Sequence, residues 1–131
     1  MGKVYFIENQ GHAYQVLNVN EDGDVSLRAK EDNIWENWYF TADGSETTIK
    51  SQAKDLYLDA GTDGDVSATA PNSGSQNPYQ VWKVQDSPSG SGKLIVQVES
   101  GLFLDANDGE DLKVRAYNDE NPYMLWNLST A

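Results

Sequence analysis

Apolar positions along this chain come in short runs that recur in the same order three times. The first kind of run is Val4-Tyr5-Phe6-Ile7, then Thr47-Thr48-Ile49, then Leu94-Ile95-Val96. The second is Tyr14-Gln15-Val16-Leu17-Asn18, then Leu56-Tyr57-Leu58-Asp59, then Leu102-Phe103-Leu104-Asp105. An Asp-Gly pair follows each time, at Asp22-Gly23, Asp63-Gly64 and Asp108-Gly109. The third run is Val25-Ser26-Leu27-Arg28, then Val66-Ser67-Ala68-Thr69, then Leu112-Lys113-Val114-Arg115. A polar loop then leads into a fourth piece, expected to end each unit on a tryptophan. Runs this short, rich in β-branched and aromatic residues and bounded by Gly, Asp, Asn and Pro, read as strands. Asp-Gly between two of them is a hairpin signal, because glycine takes positive φ without steric cost. No stretch shows sustained helical periodicity with caps. The expectation is an all-β chain of about twelve strands, four per unit, in a closed arrangement that removes sheet edges.

The repeat has a sharper marker. Asn77-Pro78-Tyr79-Gln80-Val81-Trp82 returns as Asn121-Pro122-Tyr123-Met124-Leu125-Trp126, with a looser copy at Asn33-Ile34-Trp35-Glu36-Asn37-Trp38. Forty-four residues separate Trp38 from Trp82 and Trp82 from Trp126. A fixed period of this size means one supersecondary unit built several times. The units fall at about 1–42, 43–87 and 88–131 of the 131 residues, in one domain. In Gln80-x-Trp82 a strand would put both side chains on one face. The tryptophan would then fill the core while the glutamine bonds to backbone or carboxylate beside it.

Composition narrows the function classes. The chain has no cysteine, so neither a disulfide nor a thiolate-bound metal is available. Its formal charge of −12 repels nucleic acid and anionic membrane. No apolar run approaches a membrane span, and the sequence opens on a strand pattern, so no signal peptide is expected. Membrane insertion is not expected, and a cytoplasmic or non-classically released protein is.

Three Gln-x-Trp-like phrases in register with aligned Asp-Gly turns resemble the ricin-B-like β-trefoil lectins. Asn-Pro-Tyr-Gln-Val-Trp and the opening Gly2-x-x-Tyr5-x-Ile7-x-Asn9 are similar to the cysteine-free mushroom lectins of that family. The resemblance covers essentially the whole chain and implies a β-trefoil. It also implies a sugar pocket on each unit: an aspartate after the second strand, an aromatic ring on the third, and a side chain just before the glutamine. Asp59 and Asp105 match the aspartate, and Asn18 stands there in unit one. Tyr79, Tyr123 and Trp35 hold the position before the glutamine. The stacking position on the third strand carries Arg28, Thr69 and Arg115, none aromatic, and the glutamine survives only as Gln80, with Glu36 and Met124 replacing it. The galactose specificity of relatives therefore does not carry over. A stacking ring would come instead from Tyr79, Tyr123, Trp35 or Tyr117. Asn77 and Asn121 precede prolines and shape the turn or touch ligand. Arg28 and Arg115 either pair with a carboxylate or bond a ligand oxygen.

Other chemistries find less support. The acidic turns around Asp22 and Asp108 do not match a twelve-residue calcium loop, and hairpin geometry explains them. There is one histidine, His12, and no Gly-x-Ser-x-Gly elbow. The expectation is a non-catalytic, multivalent lectin that needs no cofactor or metal and has glycans or glycoproteins as partners. The alternative is a trefoil protease inhibitor acting through one exposed loop, such as 87–93 or 71–78.

Overall fold

The computed structural model describes residues 4–12, 14–31, 33–61, 63–70, 78–88, 90, 92–106, 112–118 and 121–130, with the backbone alone for Asp43. Among these are twelve strands and no α-helix. In unit one they are β1 (Val4–Asn9), β2 (Gln15–Val19), β3 (Val25–Ala29) and β4 (Trp38–Asp43). Unit two holds β5 (Glu46–Ser51), β6 (Tyr57–Ala60), β7 (Val66–Thr69) and β8 (Trp82–Asp86). Unit three holds β9 (Lys93–Gln97), β10 (Phe103–Asp105), β11 (Lys113–Arg115) and β12 (Trp126–Thr130).

Pairing closes a ring. β1 pairs β4, β4 pairs β5, β5 pairs β8, β8 pairs β9, β9 pairs β12, and β12 returns to β1, all antiparallel. The remaining strands form three hairpins, β2–β3, β6–β7 and β10–β11. A six-stranded barrel capped by three hairpins is the β-trefoil. Within β5 the pattern alternates, with Thr47, Ile49 and Ser51 buried, as a strand with one face inward requires. At the turns Gly23 and Gly64 have φ of 86° and 85°, and the carbonyl of each accepts from the next unit's third strand: Ala68 N–H to Gly23, Val114 N–H to Gly64. The first hairpin is thus tied to the second, and the second to the third. Beside one such junction, the Lys113 ammonium lies 2.6 Å from Asp65 and holds that carboxyl below its ordinary 3.8, while the Asp65 carboxylate raises Lys113 above 10.5.

The core repeats the three-fold pattern residue by residue. Ile7, Ile49 and Ile95 have no exposed surface, nor have Leu17, Leu58 and Leu104, nor Trp38, Trp82 and Trp126. Each indole N–H donates to the carbonyl of the leucine on the second strand of its own unit, at 3.1, 2.9 and 3.1 Å. Burying one indole stabilises the fold by about 4–6 kcal/mol from area alone. That indole therefore locks the fourth strand to the second, one residue before Asn18, Asp59 or Asp105.

One expectation is corrected. The tryptophan opens the fourth strand instead of ending it, and the phrase before it is a single 3-10 turn. Proline at its first position and an asparagine cap favour that turn over an extended run. Gln80 consequently reaches the interior from a turn, not from the same strand face as Trp82.

Candidate functional site

The three 3-10 turns, Ile34–Glu36, Pro78–Gln80 and Pro122–Met124, set out the same three roles. Their last residue, Glu36, Gln80 or Met124, is buried. Their middle residue, Trp35, Tyr79 or Tyr123, is half-buried at the surface. Where the preceding asparagine is described it caps the turn: Asn33 Oδ1 accepts from Trp35 N–H at 3.0 Å, and Asn121 Oδ1 from Tyr123 N–H at 2.9 Å. Asn77 lies outside the described residues.

Around this common frame the units differ. In unit one a cleft of about 330 Å³ opens beside the turn, and Asn18, Asn20, Glu21, Arg28, Glu31 and Trp35 line it. Three of these, Asn18, Arg28 and Trp35, are the unit-one residues marked out in the sequence. Arg28 is exposed, and no side-chain hydrogen bond or ion pair engages it among the described residues. Buried Glu36 works from behind: both its carboxylate oxygens accept from the Glu31 N–H, at 3.1 and 2.8 Å, fixing the loop that carries Glu31 into the cleft. In the turn at the cleft's edge, Asn20 Oδ1 accepts from Asp22 and Asp24 N–H at 2.9 and 3.0 Å, which accounts for that acidic turn by local geometry.

In unit two the marked residues form a chain of bonds. The Thr69 hydroxyl donates to Asp59 Oδ2 at 2.8 Å, and Gln80 Nε2 donates to the same hydroxyl at 2.7 Å and to the Ala70 carbonyl at 3.0 Å. Asp59 is 8% exposed. Tyr79 lines a separate cleft of about 240 Å³ at the border with unit three, together with Gln97, Glu99 and Ser100. The structure therefore joins Asp59, Thr69 and Gln80 but sets the Tyr79 ring on another recess.

Unit three is the most closed. Asp105 is 1% exposed; its Oδ2 accepts from Asn121 at 3.2 Å and lies 3.5 Å from Arg115 Nε. Arg115 thus takes the ion-pair role left open by the sequence. Tyr117, 39% exposed, leans on Phe103 with ring centroids 5.1 Å apart. The Tyr123 ring is covered by the first loop of unit one: His12 lies on it with ring centroids 4.6 Å apart, and a Cβ on Gly11 would come within 2.2 Å of the ring. His12 Nε2 is 2.9 Å from the Ala106 carbonyl, which holds the imidazole in place.

Two positioning residues escaped the sequence reading. Asn9 donates to the Tyr123 carbonyl at 2.9 Å, and Gln97 donates to the Tyr79 carbonyl at 2.9 Å and the Ala60 carbonyl at 2.7 Å. Each holds the ring-bearing turn of the preceding unit from the next. The available signal was their equivalence: Asn9 and Gln97 each stand two residues after a core isoleucine, Ile7 and Ile95, as polar residues on an inward face.

With this geometry in view, comparison with known proteins is specific. The model of the ricin-type beta-trefoil lectin domain-like family matches residues 34–128, most of the chain. The chain belongs to that family. No curated protein matches it in sequence. Among solved structures it is similar to the chain in "PSL1a-E64 complex" (TM-score 0.81, 17% identity, 98% of this chain and 47% of that one). It is similar to a mosquitocidal holotoxin (TM-score 0.86, 18% identity, 100% of this chain and 17% of that one). It also resembles the Polyporus squamosus lectin, solved with the epitope Neu5Aca2-6Galb1-4GlcNAc (TM-score 0.79, 15% identity, 98% of this chain and 49% of that one). At these identities the likeness establishes the fold. The chain spans less than half the length of each of these structures. Among the described residues no helix is long and apolar enough to cross a membrane.

Proposed function

We propose that this chain is a non-catalytic, carbohydrate-binding lectin whose leading site is the unit-one cleft. The observation that carries the reading is the convergence of Asn18, Arg28 and Trp35 on that cleft in a chain of the lectin family. Sugar recognition needs donors and acceptors spaced for vicinal hydroxyls, together with an apolar face for the ring's C–H groups. Asn18 offers both an amide donor and an acceptor, Arg28 a rigid fork of N–H donors, and Glu21 and Glu31 acceptors. Trp35 supplies the ring. Two carboxylates against one guanidinium, in a chain of charge −12, favour neutral sugars over acidic ones.

Units two and three are proposed as weaker sites. Their aspartates have hydrogen bonds to satisfy within the protein, so a sugar hydroxyl there competes with Thr69 for Asp59, or with Asn121 and Arg115 for Asp105. Shallow sites of this kind gain by avidity on a multivalent glycan surface. A glycan array probed with labelled protein, with free-sugar competition, tests the proposal. Competable hits on neutral glycans that are lost in Arg28→Ala and Asn18→Ala support it. A blank array at high protein concentration overturns it and turns the test to inhibition of a set of proteases.

A further inference from the structure

The barrel has a second cleft at the end away from the hairpin β2–β3. β1 runs from Tyr5 at this end to Asn9, where the chain leaves for that hairpin, and the β4–β5 turn closes back here at Gly44 and Ser45. The cleft is about 440 Å³, the larger of the two, and shares no residue with the unit-one cleft. Its walls follow the pseudo-symmetry. Phe40, Val84 and Leu128 each stand two residues after a core tryptophan, and Tyr5 and Thr47 each stand two residues before a core isoleucine. Phe40, Val84 and Leu128 pack on the core from below and remain only partly buried. Tyr5 and Phe40 meet edge to face, with centroids 5.4 Å apart.

Among the described residues, one charged side chain lines the cleft. Glu46 lines this cleft and also a neighbouring recess of about 150 Å³ formed with Pro78, Val81 and Val98. No hydrogen bond or ion pair engages the Glu46 side chain among the described residues. Lys93, the unit-three counterpart of Tyr5 and Thr47, is taken up by Asp86 and does not offset it.

We propose that this barrel-end cleft binds a small organic ammonium compound: an aromatic or aliphatic body in the recess, with its cationic head at Glu46. The volume lies within the ordinary range for small-molecule sites. The walls are apolar and aromatic, and aromatic faces attract cations. A second copy of the chain is a poor occupant, since each copy carries −12. The charge of the whole molecule instead draws cations toward Glu46.

The test is NMR titration of the isotope-labelled full chain with three probes sharing one body: phenethylammonium, phenethyl alcohol and phenylacetate. Phenethylammonium is expected to shift Tyr5, Phe40, Val84 and Leu128, and to bind about two- to fivefold more tightly than the alcohol, the span of an exposed charge pair, with phenylacetate weakest. Glu46→Gln is expected to bring the ammonium and alcohol affinities together. Ala42→Trp, which projects an indole from an exposed wall position, is expected to block all three probes. If no probe shifts these residues, or if ammonium and carboxylate bind equally, the proposal is wrong. Should Ala42→Trp not fold, the shift map and probe order in the unsubstituted chain decide alone.

Discussion

Replacing Trp82 by phenylalanine isolates what the repeated tryptophan does. The indole has no exposed surface, and its N–H donates to the Leu58 carbonyl at 2.9 Å. Phenylalanine keeps most of the apolar contact but removes the donor. A buried acceptor left unpaired costs about 1–3 kcal/mol. The smaller ring also leaves a void. Complete truncation of such a side chain costs about 3–5 kcal/mol, so the part lost here accounts for roughly 1 kcal/mol. The expected loss is about 2–4 kcal/mol, a large share of a domain's ordinary 5–15. For a chain of this size that lowers the melting temperature by roughly 10 °C. Urea unfolding followed by far-ultraviolet circular dichroism reads it, with an unchanged denaturant slope showing that both end states are preserved. Because Trp38 and Trp126 make the same bond to Leu17 and Leu104, their phenylalanine variants should fall in the same range. A loss below about 0.5 kcal/mol, the scale of an inert surface change, would refute the reasoning.

Other expectations follow from the same structure. Gln97→Ala leaves the Ala60 and Tyr79 carbonyls without their donor and should cost about 2–4 kcal/mol in urea unfolding, with chemical-shift changes concentrated at Tyr79. Gly11→Ala drives a methyl into the Tyr123 ring and should cost about 1–3 kcal/mol while moving the His12 and Tyr123 ring resonances together. The Asp65–Lys113 pair has two pH edges. Asp65 is depressed, so its stabilisation is present above 3.8 and is lost as pH falls through its lower folded value. Lys113 is raised, so its stabilisation is present below 10.5 and is lost as pH rises through its higher folded value. Thermal melts of Asp65→Asn against the parent should therefore differ by a small, salt-sensitive amount between those edges and converge outside them.

The trefoil was legible because its determinants are periodic. The 44-residue spacing of Trp38, Trp82 and Trp126, and the Asp-Gly turns at Gly23 and Gly64, are fixed by core packing and positive φ, which act locally and repeat. The fourth strand begins later than expected because Gln80-x-Trp82 alternates like a strand, whereas the 3-10 turn Pro78–Gln80 takes in the glutamine. The candidate site was legible in part. The family resemblance singled out Asn18, Arg28 and Trp35, which line the cleft, but Glu31 enters through a loop whose path depends on buried Glu36, and no repeat position marks that. Nor did the sequence tell that Tyr79 faces the neighbouring unit or that His12 covers Tyr123, since both contacts cross unit borders.

The central claim, sugar binding in the unit-one cleft, is tested most directly by the indole N–H signals. Trp38, Trp82 and Trp126 are fully buried, and Trp35 alone reaches a cleft. In a titration of ¹⁵N-labelled protein with a glycan chosen from the array, the Trp35 indole signal should shift saturably while the other three stay in place. Saturable binding that leaves Trp35 unmoved, or an array with no glycan to titrate, would contradict the account.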